Sequence, residues 1–161
     1  MSENVQTKNE SNELLQLVSF KISNEEFGVD ILSVQEINRM LQITKMPNTP
    51  EFIEGVINLR GRVIPVLDLR VKLGMPRIEH DKNTRIVVVE LKGKTIGFIV
   101  DEVSEVLRIP KSITEAPPEM VGGVNSDYII SIGKLEDRLL ILLDLEKIIT
   151  AGEFSLIDEA A

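Results

Sequence analysis

Hydrophobic and polar positions alternate from the first apolar stretch of the chain. Val18, Phe20 and Ile22 alternate with Ser19 and Lys21, the period-two pattern of a strand covered on one face. Ser23-Asn24-Glu25-Glu26 then supplies a polar turn before a second strand at Phe27. Ile86-Val87-Val88-Val89 is continuous and β-branched, which predicts a strand covered on both faces. Lys92-Gly93 predicts a tight hairpin turn before a strand over Thr95–Val100. Pro65 interrupts an otherwise strand-like run, so that strand is expected at a sheet edge or with a bulge. Pro50–Ile57 reads as a short helix. A longer helix is expected after Asp144, where Leu145, Ile148 and Ile149 share one face. Many short strands with closely spaced turns favour barrels or a sandwich over a βαβ fold.

The pattern repeats. Phe27-Gly28-Val29 followed by Val34-Gln35-Glu36-Ile37 matches Ile96-Gly97-Phe98 followed by Val103-Ser104-Glu105-Val106, at a constant offset of 69 residues. Ile43-Thr44-Lys45-Met46-Pro47 matches Ile113-Thr114-Glu115-Ala116-Pro117 at an offset of 70. Arg62-Val-Ile-Pro-Val-Leu-Asp-Leu69 matches Arg138-Leu-Leu-Ile-Leu-Leu-Asp-Leu145 at 76. Four matches in one order with slowly growing offsets are what loop insertions between equivalent elements produce. Each half holds about 60 residues, a size at which an isolated core is marginal. Two small barrels that share apolar surface are therefore expected, with the cleft between them as a binding groove. The polar residues 1–13 are expected to be a disordered tail, and Gly74–Asn83 to be the connection between halves. Within 14–160, one unit is expected over about 14–80 plus a C-terminal helix at 145–160, and the other over about 84–144.

Composition narrows the chemistry. With no cysteine, disulfides, thiolate metal sites and cysteine nucleophiles are excluded. The longest aliphatic run, Leu139–Leu143, is far short of the roughly 20 residues that a membrane helix needs, so direct membrane insertion is not expected. The polar, acidic N-terminus has no apolar core of a signal peptide, and cytoplasmic residence is the expectation. A net charge of −8 repels phosphate backbones, and 4% aromatic residues give little to stack on bases, so nucleic acid is not an expected partner. The single histidine, His80, lies in the charged connection and reads as a solvated residue. No serine stands in a recognisable pattern with a base. Lys92-Gly93-Lys94-Thr95 would need glycine at position 88 to be a phosphate loop, and that position is Val88. No carboxylate cluster has metal-ligand spacing. No cofactor and no enzymatic activity are expected. A small β-barrel enzyme or ligand-binding protein would need a pocket of converging polar groups, which this inventory does not suggest.

Val29-Asp30-Ile31-Leu32-Ser33-Val34-Gln35-Glu36-Ile37 resembles a signature stretch of the CheW coupling proteins. Asn48-Thr49-Pro50, the run from Phe52 through Asn58-Leu59-Arg60-Gly61-Arg62 to Arg70, Val100–Val106, and Asp137–Leu142 are similar to that family as well. The likeness covers about Leu15 to Ala160. It implies a mainly β fold of two intertwined SH3-like five-stranded barrels with short helices and a C-terminal helix. It also implies a non-enzymatic chemotaxis adaptor that binds the regulatory domain of the histidine kinase CheA and the cytoplasmic tips of methyl-accepting chemoreceptors, recruited to receptor arrays. The regulatory domain of the kinase would carry the same motifs. With no kinase catalytic sequence, and no room for the receiver domain of the related CheV, a free-standing adaptor is the expectation.

Read from residue types alone, Val34 and Ile37 are core positions and Glu36 is solvated. The resemblance assigns partner binding to Val34 and Glu36, and draws in Ile37 together with its second-half equivalent Val106. Arg60, Arg62, Arg70 and Lys72 form a basic stretch in an acidic chain. Arg70 and Lys72 read as a solvated strand face, whereas Arg60, beside Gly61, could reach a carboxylate with two hydrogen bonds. Gly55 and Gly61 read as turn residues with positive φ, where a side chain would also block a partner. Met120 follows Pro117-Pro118-Glu119, where a relative can carry an aromatic; this departure bears on one kinase-side contact and not on the fold. The candidate protein-binding set is thus Val34, Glu36, Ile37, Gly55, Arg60, Gly61, Arg62, Val106 and Met120.

Overall fold

The computed structural model describes residues 13–121 and 124–150, with Glu153 and Ser155; the tail expected over 1–13 lies outside the described residues apart from Glu13. The first half runs β1 (Leu14–Ile22), β2 (Glu25–Asp30), β3 (Val34–Arg39), β4 (Ile53–Leu59), β5 (Arg62–Asp68) and a single helical turn α1 (Leu69–Lys72). The second runs β6 (Arg85–Leu91), β7 (Lys94–Val100), β8 (Glu102–Pro110), β9 (Thr114–Glu115), β10 (Met120–Val121), β11 (Val124–Asn125), β12 (Ile129–Lys134), β13 (Leu139–Leu143) and α2 (Leu145–Ile148). Residues 75–80 between the halves have no regular structure. No helix among the described residues is long and apolar enough to cross a membrane.

The repeat survives in three dimensions as a reciprocal exchange of strands. One sheet has the order β3-β6-β7-β5-β4 and the other β8-β1-β2-β13-β12-β9. Each therefore joins the first hairpin of one half to the third strand and second hairpin of the other. The third strand of each half pairs antiparallel with the first strand of its counterpart, β3 on β6 and β8 on β1. The parallel contacts match too: Val66 pairs with Gly97 where β5 meets β7, and Leu142 with Gly28 where β13 meets β2. Both sheets close alike. Thr44 exchanges two 2.9 Å backbone hydrogen bonds with Val56 of β4, and Thr114–Glu115 pairs with Gly133–Ile132 of β12. The result is one barrel of five strands and a second of five strands closed by the two-residue β9, mainly β as expected. The division of the chain differs from the expectation of units at about 14–80 and 84–144. Strands β6 and β7 belong with β3, β4 and β5, while β1 and β2 belong with the C-terminal strands. Contiguous halves look self-contained in sequence because the exchanged hairpins are interchangeable copies.

Three apolar clusters follow from this arrangement. Ile57, Ile64, Val66, Ile86, Val88 and Ile99 fill one barrel, and Leu17, Ile109, Leu140 and Leu142 the other. The largest cluster takes residues from both sheets, including Phe20, Phe27, Phe98, Val87 and Leu143, with Phe20 and Phe27 stacked at 6.0 Å. Val87 and Val88 point into different clusters, so β6 is covered on both faces as its continuous apolar run requires. This cluster is the apolar surface that the two barrels were expected to share.

Three local expectations are corrected. Pro50–Ile57 contributes to β4 instead of a helix, because Ile53, Gly55 and Ile57 alternate inward. Pro65 lies in a strand paired on both sides; it immediately precedes Val66, where pairing to β7 begins, and the register shift falls on β4 between Ile53 and Gly55. The helix expected over 145–160 is not continuous. Strand β13 ends at an Asp144 cap that accepts from Glu146 N–H at 3.1 Å, as Asp68 accepts from Arg70 N–H at 3.0 Å at the start of α1. Ile149 is then extended, and Thr150 and Glu153 form a reciprocal capping box. In it Thr150 N–H donates to Glu153, and Glu153 N–H donates to Thr150 Oγ1. Leu145, Ile148 and Ile149 are all buried, as their spacing requires.

Candidate functional site

Strand β3 is an edge of its sheet and alternates cleanly. Val34, Glu36 and Asn38 are half-buried, and Gln35, Ile37 and Arg39 face out. Val34 packs against the shared core. Ile37 is 39% exposed and its second-half equivalent Val106 is 58% exposed, so neither is the core residue that residue type alone indicates. Both stand on outer faces of edge strands, where an apolar side chain is available to a partner.

Glu36 and Arg60 are joined. Leu59 faces Arg62 across a two-residue hairpin in which Arg60 (φ 52°) and Gly61 (φ 84°) both adopt left-handed conformations. Such a primed turn matches strand twist and demands glycine or a strained residue at each position. Gly61 N–H is fixed by Asn58 Oδ1 at 2.9 Å. The turn aims the Arg60 guanidinium at the Glu36 carboxylate, where Nη1 donates to Oε2 at 3.0 Å and Nη2 to Oε1. This bidentate pair holds the Glu36 carboxyl below its ordinary value, through the Arg60 hydrogen bond above all, and raises Arg60 correspondingly. The two residues expected to meet partners thus meet each other, and they tie the β4–β5 hairpin tip to β3. Arg62, next along, donates to Thr95 Oγ1 at 3.2 Å.

Gly55 has an internal reason to be glycine. It sits at the β4 register shift with φ 151°, and a Cβ there would lie 2.2 Å from the Thr44 carbonyl oxygen that closes the barrel. It is a close-approach glycine in a strand, not the turn residue expected. Gly61 meets the expectation of a turn with positive φ, with nothing within 4 Å of its would-be Cβ. Met120 lies in β10, opposite Asn125 of β11; its side chain is outside the described residues.

Arg70 and Lys72 are not on a solvated strand face. The helical turn after Asp68 carries them back over the molecule. The Arg70 side chain is 9% exposed and donates to Asp101 at 2.6 Å and to the Pro76 carbonyl at 2.9 Å. Asp101 also accepts from Ser23 N–H at 2.8 Å, so one carboxylate fastens both halves. Lys72 pairs with Glu153 and lies 4.7 Å above the Phe52 ring.

Sequence reasoning missed a second clamp. Arg138, at the start of the β12–β13 hairpin's returning limb, donates to Glu105 on β8 at 3.0 Å and also to Glu26 and Asp137. Glu105 is the repeat equivalent of Glu36. The signal was present: Glu105 and Arg138 both stand inside the matched segments. Beside this barrel's mouth lies an apolar groove of about 570 Å³ lined by Leu14, Leu15, Leu17, Ile31, Leu32 and Ile130, among others. Leu32 is 90% exposed at its rim.

Comparison with known proteins accords with this architecture. The CheW-like domain matches residues 16–153. The chain is 41% identical over 142 residues to the chemotaxis protein CheW of Klebsiella aerogenes, covering 88% of this chain and 86% of that one. It is 37% identical over 144 residues to the chemotaxis protein CheW of Helicobacter pylori, covering 89% and 87%. The crystal structure of the scaffolding protein TtCheW from Thermoanaerobacter tengcongensis superposes with a TM-score of 0.79 at 38% identity, over 88% of this chain and 91% of that one. Two closed barrels built by reciprocal strand exchange, matched over nearly their whole length, place this chain in the CheW family.

Proposed function

We propose that this chain is a non-enzymatic adaptor that couples methyl-accepting chemoreceptors to the histidine kinase CheA in cytoplasmic signalling arrays. The observation that carries the reading is the likeness to CheW proteins over most of the chain, one of them described as a scaffold. The apolar groove beside Leu14 and Leu32 suits the apolar stripe of a receptor helix, a helix-in-groove contact. The exposed faces of β3 and β8, with Ile37 and Val106, suit barrel-to-barrel contact with the kinase regulatory domain, and Met120 is the further kinase-side contact proposed. Val34, Glu36, Gly55, Arg60, Gly61 and Arg62 then act by fixing the β3 edge and the hairpin tip that a partner meets. Many modest contacts tethered in one lattice bind strongly through effective concentration. Kinase control requires that those contacts differ between kinase states.

The test is co-sedimentation of the purified chain with chemoreceptor-containing membranes, with and without CheA, followed by kinase autophosphorylation. The chain should pellet with the membranes, recruit CheA and raise its activity in a receptor-dependent way. Failure to pellet, or kinase activity indifferent to the chain, refutes the coupling role.

A further inference from the structure

The far end of the β3 edge carries a different charge from the rest of this acidic protein. Arg39, the last residue of β3, stands directly opposite Arg85, the first residue of β6. With Lys82 from the preceding loop and Met40 alongside, they line a notch of about 450 Å³. Like charges facing each other across a strand pair are destabilising, so their juxtaposition works against the fold. The structure does little to neutralise them. Arg39 and Lys82 are exposed, and among the described residues their side chains make no hydrogen bond or ion pair. Arg85 commits only Nη1, to the backbone carbonyls of Lys82 at 2.8 Å and Thr84 at 2.9 Å. The one carboxylate in the notch, Asp81, is turned to its own loop, accepting from Asn83 N–H at 2.7 Å.

The repeat supplies an internal control. The equivalent of Arg39 is Arg108 on β8, and the residue opposite it on β1 is Gln16. The arginine recurs, but only one barrel pairs it with a second arginine. Doubling is therefore not a requirement of the strand pairing.

We infer that the Arg39–Lys82–Arg85 notch is a docking surface for a partner-protein helix bearing two carboxylates one turn apart. The geometry selects that ligand. Side chains directly opposite on antiparallel strands have Cβ atoms about 5 Å apart, and helix residues at i and i+4 about 5–6 Å apart, so two guanidinium groups meet two carboxylates in register. Planar guanidinium donors suit carboxylates bidentately. Met40, packed on the barrel core, offers an apolar floor for the intervening helix surface. Asp81 on the rim and the chain's net charge of −8 oppose a multiply charged phosphate polymer. The inference stands apart from the adaptor role and holds whichever protein supplies the helix.

The test uses the full chain, ¹⁵N-labelled, titrated with a 16-residue helical peptide carrying two glutamates at i and i+4, and with its double-glutamine counterpart. The glutamate peptide should give saturable shifts at Arg39, Lys82 and Arg85 and none of that size at Arg108. Arg39→Gln should weaken binding by about three- to tenfold without lowering the thermal midpoint, since it removes a repulsion. Arg108→Gln should leave binding unchanged. Raising the salt should weaken the contact. Equal shifts with the glutamine peptide, equal shifts at Arg108, or unchanged affinity in Arg39→Gln would each overturn the proposal. Stronger competition by inorganic phosphate than by free glutarate at equal ionic strength would overturn the carboxylate assignment.

Discussion

Arg60 and Glu36 lie 24 residues apart in sequence, one at the tip of the β4–β5 hairpin and the other on the edge strand β3, and their side chains close onto one another with two hydrogen bonds. The contact joins an edge strand to a turn tip that the backbone ladder does not reach. Glu105, the repeat equivalent of Glu36, is also clamped by an arginine, but by Arg138, the equivalent of Arg62 and not of Arg60, and that arginine draws in Glu26 as well. The hydrogen bond to Glu26, more than any other interaction, raises the Arg138 pKa. One barrel therefore has a simple, exposed clamp and the other a clamp anchored to a buried carboxylate. A clamp of the first kind is the easier to open.

If the geometry set by this pair is what a partner reads, charge order should not matter. Glu36→Arg or Arg60→Glu alone places like charges together, frees the hairpin tip and should abolish most receptor-dependent kinase activation while circular dichroism stays native. The double exchange, Glu36→Arg with Arg60→Glu, rebuilds an ion pair and should recover a substantial part of that activation. No recovery would show that the individual charges face the partner.

The pair also predicts a titration. Hydrogen bonds from Arg60 depress the folded-state value of Glu36 below that of the unfolded chain. The stabilisation it brings is then present above the unfolded carboxyl value, and it is lost as the pH falls through the folded one. Carboxyl-detected NMR should place the Glu36 midpoint below the usual glutamate range, and Arg60→Gln should move it back up. An unchanged midpoint in that variant would leave the clamp without a role in solution.

Much of this was legible in the sequence, and the misses have physical reasons. Gly28 and Gly97 stand out as repeat landmarks because each occupies the crossing of its parallel strand pair, where a Cβ would approach Leu140 or Ile86 and Val66. Asp68 and Asp144 repeat because each caps a helical turn. The residue pattern left no trace of the exchange of hairpins, since β1–β2 and β6–β7 carry the same pattern, and the intertwining came only with the resemblance to the CheW family. Ile37 and Val106 have the residue type of a core, and only their place on an edge strand turns them outward. Arg70 and Lys72 are two residues apart, as on a strand, and only the turn begun at Asp68 carries them inward. Gly55 was readable as glycine for a reason, but the reason, the Thr44 carbonyl, arrives from a segment 11 residues away.

That distinction among glycines has measurable consequences. Gly55→Ala forces a Cβ into backbone at 2.2 Å and should cost about 3 kcal/mol. Gly97→Ala meets the stiff Ile86 side chain at 2.9 Å and should cost about 2 kcal/mol. Gly28→Ala meets the more yielding Leu140 at 3.3 Å and should cost roughly 1 kcal/mol. Gly61→Ala suffers only its positive φ, again about 1 kcal/mol. Urea midpoints should fall in that order, and a Gly55 variant as stable as the Gly61 variant would contradict the closure at Thr44.

Asp101 carries the heaviest single demand on the fold. It stands between β7 and β8, accepts from the buried Arg70 of α1 and from the β1–β2 turn at Ser23, and donates its own N–H to the Lys21 carbonyl at 3.1 Å. Those elements belong to both barrels, so the carboxylate bridges the exchanged hairpins. Asp101→Ala would strand a guanidinium that has little access to water, and an unpaired buried charge costs about 3–5 kcal/mol. Because the lost contacts span both sheets, the barrels should unfold together and at lower urea, without an intermediate in which one persists. Arg70→Met removes the charge along with its partner interaction and keeps much of the side-chain volume, so its loss should be smaller. Equal destabilisation by the two substitutions would mean that Asp101 serves the Ser23 turn and not the arginine.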